Sequence, residues 1–434
     1  MNVYQEYSQK LCSAREAVKL VKSGDWVDYG SNNSKPVLLD AALAERKDEL
    51  KSVKIRGNLT PGPIQVIECD PEQEHFVYNT WHCGAYERKL VSQGRAFFSP
   101  MLFRNLQWYY ENFLEVDVAM LAVSKMDEDG YFSFSCGLGA VSFIAKKAKK
   151  LILEVNEFLP YIYGEDARIH VSEADAIVEA GEQELMEILP TPPTDNDRQI
   201  AQHIFPHIPD GCTLQLGIGG IPNVIGSLIC DSDIKKVKMH TELCSDGYYD
   251  LYRAGKLDGG VLGLAIGSKD FYRWLDKNAS LEGRNLSWVN NPAVMAKIDN
   301  LISVNGCISV DLFGQVNAET AGFRQISGTG GQLDFVTGAC NSQGGKSFLC
   351  LNSTFTDGKG VVHSNIKPSL GGEVVTTPRS QAHYIVTEYG CVNLAGMSTW
   401  QRAAALVSIA HPDFRDELIQ EAEKLKIWLP ENKR

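Results

Sequence analysis

The sequence predicts an α/β protein built from two similar, open, doubly wound domains. Three observations carry that expectation. Short apolar strand signals alternate with helical stretches along the chain, the order of a parallel sheet covered by helices. The 434 residues suffice for two hydrophobic cores. The order of signals before the proline-rich stretch 190–197 also recurs after it.

In the first half, residues 14–21 have helical spacing. Ser23-Gly24-Asp25 then turns into the alternating Trp26-Val27-Asp28-Tyr29, which ends on Gly30. Residues 35–45 read as helix, and 117–121 as a strand leading to the turn Asp127-Glu128-Asp129-Gly130 and the apolar 131–134. Residues 151–155 read as a further strand. Residues 190–197 lack periodicity and read as a linker. This gives an N-terminal domain of 1–189 and a C-terminal domain of 198–434. In the second half, 200–208 precede the turn Pro209-Asp210-Gly211 and the strand Leu214-Gln215-Leu216, which ends on Gly217. Residues 299–303 echo 117–121, and 384–388 echo 151–155; residues 400–409 read as helix. A chance likeness between two α/β halves is the alternative to duplication. In such sheets ligands bind beyond the carboxyl ends of strands, and the cleft between two domains is the expected place for a site.

The net charge of −12 argues against nucleic acid as a partner, because neutralising phosphates needs a basic face. It leaves room for an anionic small ligand in a locally basic pocket. No run of about 18 apolar residues is present, so no membrane span is expected. Residues 1–7 have no apolar core of a secretory leader, and the eleven scattered cysteines contain no Cys-x-x-Cys pair. Both point to a cytoplasmic protein with reduced, mostly buried thiols.

Two glycine loops and one glutamate stand out. The strand 214–216 runs into Gly217-Ile218-Gly219-Gly220, and Pro222 suits the first position of a helix. Such a turn aims backbone N–H groups at an anion or an oxyanion, or simply reverses the chain. It is not a dinucleotide fingerprint, since Pro222 stands where the third glycine belongs. The second loop is Ser327-Gly328-Thr329-Gly330-Gly331. The later Gly344-Gly345-Lys346-Ser347 lacks the first glycine of a phosphate loop, because that position is Cys340. Glu242, in His240-Thr241-Glu242-Leu243-Cys244, falls at an expected strand end. An ionised carboxylate there can attack an activated acyl group without a general base; it can equally cap a helix or pair with a cation. Other chemistries lack support. There is no Gly-x-Ser-x-Gly elbow, and Pro206 interrupts the helix that His203 and His207 would need to share a metal.

Together, 215–222, 240–242, 314–317, 325–335 and 386–390 resemble the acetyl-CoA hydrolase/transferase family, the class I coenzyme A transferases. The motifs 398–403 and 409–415 add to the likeness, which extends over nearly the whole chain. The resemblance implies two domains of the NagB/RpiA-like CoA-transferase fold and a homodimer or dimer of dimers. It implies CoA transfer between a short-chain acyl-CoA and a carboxylate by a ping-pong route through a glutamyl-CoA thioester. Butyryl-CoA with acetate is the first choice of substrates and 4-hydroxybutyryl-CoA the next. Acyl-CoA hydrolysis is an alternative, as is a non-catalytic CoA-ester sensor. On this resemblance Glu242 is the nucleophile. Gln215, Gly217, Gly219, Gly220 and Asn32 contact the substrate or its oxyanion. Gly328, Gly330 and Gly331 face CoA, Lys346 and Lys367 are candidate phosphate contacts, and no metal or cofactor beyond the substrate CoA is expected. The polar 31–34 segment falls where the acyl pocket is completed. Asn365, Ala395 and Met397 stand where the family often has basic residues, which puts the phosphate contacts in doubt.

Overall fold

Val118-Ala119-Met120-Leu121-Ala122-Val123 is apolar at every position, as a parallel strand covered on both faces must be. Such runs build two main sheets in the computed structural model, which describes residues 2–188 and 192–430. The first sheet has the order Phe97–Phe98, Phe76–Thr80, Val53–Asn58, Trp26–Ser31, Val118–Val123, Lys150–Asn156, Ala176–Gly181, and its pairings are parallel. Alternate residues point to opposite faces. Val118, Met120 and Ile152 join Val27 and Ile55 in one core, while Ala119, Leu121 and Leu153 join Phe132 and Leu138 in the other.

The second sheet runs Leu281–Gly283, Leu257–Ala265, Val237–Cys244, Thr213–Leu216, Leu301–Gly306, Lys346–Cys350, Tyr384–Thr387, Gly390–Asn393; the last strand is antiparallel to its neighbour. In both sheets the earliest strand lies inside, with later strands added to one side and then the other. This is the doubly wound plan the sequence predicts, used twice. Sheet position corrects one echo, however. Lys150–Asn156 corresponds to Lys346–Cys350, and Tyr384–Thr387 to Ala176–Gly181. Interior parallel strands all share one apolar pattern, so pattern alone pairs them poorly.

Residues 190 and 191 of the expected linker lie outside the described residues, and 195–197 are already helical. Thr194 caps the helix Asp195–Ile204: its Oγ1 accepts the Asp197 N–H at 3.1 Å, and Asp197 Oδ2 accepts the Thr194 N–H at 2.8 Å. This is a capping box in residues that also suit a loop. The compact units are Met1–Leu189 with Glu242–Asp246 and Gly259–Val289, and Pro190–Thr241 with Gly247–Asp258 and Asn290–Arg434. They are therefore not contiguous stretches of chain. Leu264 and Leu286 are buried in the first unit's core, and Leu243 packs against it.

One buried acid in the first unit makes stability depend on pH. The Glu87 carboxyl accepts hydrogen bonds from Tyr78 Oη at 3.0 Å, Thr80 Oγ1 at 3.2 Å and the Gly84 N–H at 2.9 Å. Burial pushes it up to about 7 from an ordinary 4.5. The folded chain thus keeps a proton that the unfolded chain releases. The stabilisation is complete below the unfolded value and is lost as pH rises through the folded one. Glu87→Gln, neutral at every pH, is expected to flatten the fall in Tm between about pH 5 and about pH 7.5. A variant whose Tm falls as steeply as that of the parent would refute this assignment.

Candidate active site

Glu242 lies two residues before the end of the strand Val237–Cys244 and is half-buried. The next strand passes so close that a Cβ on Gly263 would sit 3.1 Å from the Glu242 carbonyl oxygen and 2.5 Å from Leu286 Cδ2. Leu286 and Leu264 share a core with Leu138. A Cβ on Gly139 would meet Leu264 Cδ2 at 3.2 Å and Ser31 Oγ at 3.6 Å. The first unit thus packs the Glu242 backbone and the polar turn that follows Ser31 against one core. Cys244, two residues on, is a buried filler: burial holds its thiol well above the usual range, so it is no rival nucleophile.

That turn, Asn32–Ser34, is tightly specified. Asn33 Nδ2 donates to Tyr272 Oη at 2.8 Å and to the Met186 carbonyl at 2.9 Å, and its Oδ1 accepts the Met186 N–H at 2.8 Å. Ser31 Oγ donates to Asn58 Oδ1 at 2.5 Å. Just after the turn, Glu154 accepts the Val37, Leu38 and Leu39 N–H groups at the start of the helix Val37–Ala44. Asn32 itself has φ 51, a left-handed conformation that asparagine tolerates better than most residues. It is 3% exposed, and its Nδ2 has no acceptor among the described residues. An unmade buried hydrogen bond costs about 1–3 kcal/mol. A substrate oxygen is the kind of group that would remove that cost.

In the second unit, the strand Thr213–Leu216 ends at the first glycine loop. Gly219 has φ 119 and ψ −170, a conformation essentially confined to glycine, and it caps the helix Gly220–Cys230. A Cβ at Gly220 would lie 2.3 Å from Asp197 Oδ2. The N–H groups of Ile218, Gly219 and Gly220 have no acceptor among the described residues. The Gly217 N–H is instead donated to the Val304 carbonyl at 3.2 Å. That corrects the expectation for Gly217: its donor serves the sheet. Pro222 is the third helical residue rather than the first, still within the turn that needs no backbone donor. Gln215 is also engaged. Its Oε1 accepts Ser303 Oγ at 2.7 Å and Asn305 Nδ2 at 3.0 Å, and its Nε2 donates to Asn305 Oδ1 at 3.3 Å.

The second glycine loop precedes the helix Gln332–Asn341, with Gly330 left-handed at φ 55. Ser327 Oγ donates to the Ala318 carbonyl at 2.7 Å, and Thr329 Oγ1 to Glu319 Oε2 at 3.2 Å. Gln332 Nε2 donates to the Gly306 carbonyl at 2.9 Å. Gly306 ends the strand Leu301–Gly306, whose Val304 carbonyl takes the Gly217 N–H. The loops containing Gly217–Gly220 and Gly328–Gly331 therefore flank the carboxyl end of one strand.

The two lysines part company. The helix after Gly331 has ten residues, about 15 Å, and carries the chain away from that strand end. Lys346 then opens the strand Lys346–Cys350, level with Ile302 near the start of its neighbour. Lys346 thus stands at the amino edge of the sheet, away from both glycine loops. Lys367, in the short strand Ile366–Lys367, pairs with Glu373 Oε1 at 2.7 Å; Glu373 Oε2 accepts Ser309 Oγ at 2.8 Å. Asn365 Nδ2 donates to the Asn352 carbonyl at 2.9 Å, so its amide is structural. Sequence reading missed Ser303, Asn305, Glu319 and Glu373. It also gave no role to Glu388, which accepts the Ser353 N–H at 2.9 Å and Oγ at 2.5 Å. These partners come from distant parts of the chain and leave no local motif.

Comparison with known proteins fits this architecture. Residues 1–190 match the acetyl-CoA hydrolase/transferase N-terminal domain, and residues 267–422 the C-terminal domain of the same family. The chain is 45% identical to butyryl-CoA:acetate CoA-transferase of Anaerostipes caccae, over 100% of both chains. It is 38% identical to 4-hydroxybutyrate coenzyme A transferase of Clostridium kluyveri, over 96% of this chain and 98% of that one. Among solved structures, RipA from Yersinia pestis superposes with a TM-score of 0.90 at 34% identity, covering 98% of this chain and 100% of that chain. With both domain types matched and such identity over full length, the chain belongs to the acetyl-CoA hydrolase/transferase family.

Proposed function

We propose that this protein transfers coenzyme A from butyryl-CoA to acetate, giving butyrate and acetyl-CoA, with Glu242 as nucleophile. The observation that carries the reading is a half-buried carboxylate at the end of the strand Val237–Cys244, in a chain 45% identical to a butyryl-CoA:acetate CoA-transferase. A Glu242 carboxylate oxygen adds to the acyl carbonyl carbon, and the carbonyl electron pair becomes an oxyanion. Collapse of that intermediate expels CoA thiolate and leaves a mixed anhydride. The thiolate then adds to the glutamyl carbonyl, expels butyrate and forms glutamyl-CoA thioester. Acetate runs the two steps in reverse and leaves as acetyl-CoA, restoring the carboxylate. The thioester bond energy is conserved throughout, so no redox step enters. The N–H groups of Ile218, Gly219 and Gly220 are the donors we assign to the oxyanions; each such donor is worth roughly 2.7–4 kcal/mol of barrier.

The test is to incubate the protein with butyryl-CoA alone, reduce with borohydride and map the modified peptide. The thioester at Glu242 becomes an alcohol, a loss of one oxygen and a gain of two hydrogens. An active enzyme with unmodified Glu242 would overturn the covalent route. One observation favours a second acyl group. The unsatisfied Asn32 amide suits a hydroxylated chain, so 4-hydroxybutyryl-CoA belongs in the panel of donors. Thiol release without added acetate would instead mark hydrolysis. We place the enzyme in the cytoplasm as a homodimer or dimer of dimers; native mass and fractionation test both.

A further inference from the structure

The second unit carries a cavity of about 350 Å³, lined by Phe355, His363, Ser364, Lys367, Phe414 and Glu417 among others. Its volume is within the range of small-molecule sites. One wall is a stacked aromatic pair. Phe355 and His363 stand directly opposite each other on the antiparallel strands Thr354–Thr356 and Val362–Ser364, with ring centroids 5.1 Å apart and planes inclined by 24°. A two-stranded hairpin this short is marginal in water by itself, and yet Phe355 is left 46% exposed. His363 is held from behind, with Nε2 3.0 Å from Asp357 Oδ2. Phe414 comes from the helix Pro412–Lys424, as does Glu417, whose carboxylate has no hydrogen-bond partner among the described residues.

The charges choose between parts of a nucleotide. Lys367 is already neutralised by Glu373, and Glu417 adds a negative charge, so the cavity repels phosphate more than it attracts it. Flat aromatic surface with one carboxylate acceptor fits an uncharged ring that donates from an exocyclic amine. Position fits as well. Lys367 is the register partner of Asp311, five residues after Gly306, where the second glycine loop is tied. Five extended residues span at most about 17 Å, a distance an extended pantetheine arm covers.

We propose that this cavity holds the adenine ring of coenzyme A, stacked on the exposed face of Phe355, which His363 backs, with its amino group donating to Glu417. The proposal rests on the CoA-transfer reading. Its test separates the base from the rest of the substrate. Phe355→Ala, at an exposed position, is expected to raise KM for butyryl-CoA about tenfold with kcat unchanged, and to leave KM for butyryl-pantetheine, which lacks adenosine, where it was. By calorimetry the same variant should bind adenosine 3′,5′-bisphosphate about tenfold more weakly. The inosine counterpart, with an oxygen in place of the amine, should bind the unaltered protein about tenfold more weakly than the adenosine form, and Glu417→Gln should narrow that gap. Equal KM effects on both thioesters, or unchanged bisphosphate affinity in Phe355→Ala, would overturn the proposal while transfer activity stands. If the unaltered protein transfers no CoA but the bisphosphate results hold, the functional reading fails and the adenine site remains.

Discussion

Glu242→Gln is expected to lower CoA transfer from butyryl-CoA to acetate by at least about 10⁴-fold, the scale seen when a covalent nucleophile is removed. A glutamine amide keeps the size and polarity of the side chain but cannot form the anhydride or the thioester. The side chain is half-buried at a strand end, so the fold should survive the change. Tm should stay within a few degrees, since exchange at a site away from a packed core rarely costs more than about 1 kcal/mol. Binding of butyryl-CoA should also persist, because CoA offers most of its contacts remote from the reacting carbonyl. Steady-state transfer, thermal melting and direct acyl-CoA binding together check the claim. Residual transfer above about one per cent in a protein with the parent's Tm would show that another group carries the acyl chemistry.

The parallel sheets were legible because a strand covered on both faces is apolar throughout, and 118–123 could hardly be anything else. The glycine loops were legible for a related reason: Gly219 occupies a backbone conformation that other residues avoid, and that need is written in the sequence. Glu242 at a strand end followed from local pattern too. What escaped was decided at long range. The membership of 242–246 and 259–289 in the first unit depends on Leu264 and Leu286 finding the core around Leu138, which no local pattern records. The place of Lys346 depends on the ten-residue helix that separates it from Gly331. Gly217 looks like Gly219 in sequence, but its N–H is drawn into the ladder by Val304, 87 residues on in the chain, whose strand follows the three that build the other side of the sheet. Gln215 likewise resembles a free donor until Ser303 and Asn305 arrive beside it.

This difference between two neighbouring glycines gives the second large effect. Gly219→Ala is expected to lower kcat by about 10²–10³-fold, whereas Gly217→Ala should cost less than about threefold. Nothing lies within 4 Å of a Cβ built on Gly219, so the surroundings would accept the methyl group. The obstacle is the backbone. At φ 119 and ψ −170 an L-residue is strained by about 1–3 kcal/mol. The loop relieves that strain by rotating the peptide units on either side, which turns the Gly219 and Gly220 N–H groups from their present directions. One lost oxyanion donor accounts for roughly 2.7–4 kcal/mol of barrier. Gly217, by contrast, has an ordinary φ, and its Cβ would meet only the Val304 carbonyl oxygen at 3.7 Å, a normal contact. Its N–H is already committed to that same carbonyl, so alanine removes no donor. Comparing kcat and Tm for the two variants isolates donor geometry from loop stability. The assignment fails if Gly219→Ala keeps kcat within about threefold of the parent, or if Gly217→Ala loses as much activity at an unchanged Tm.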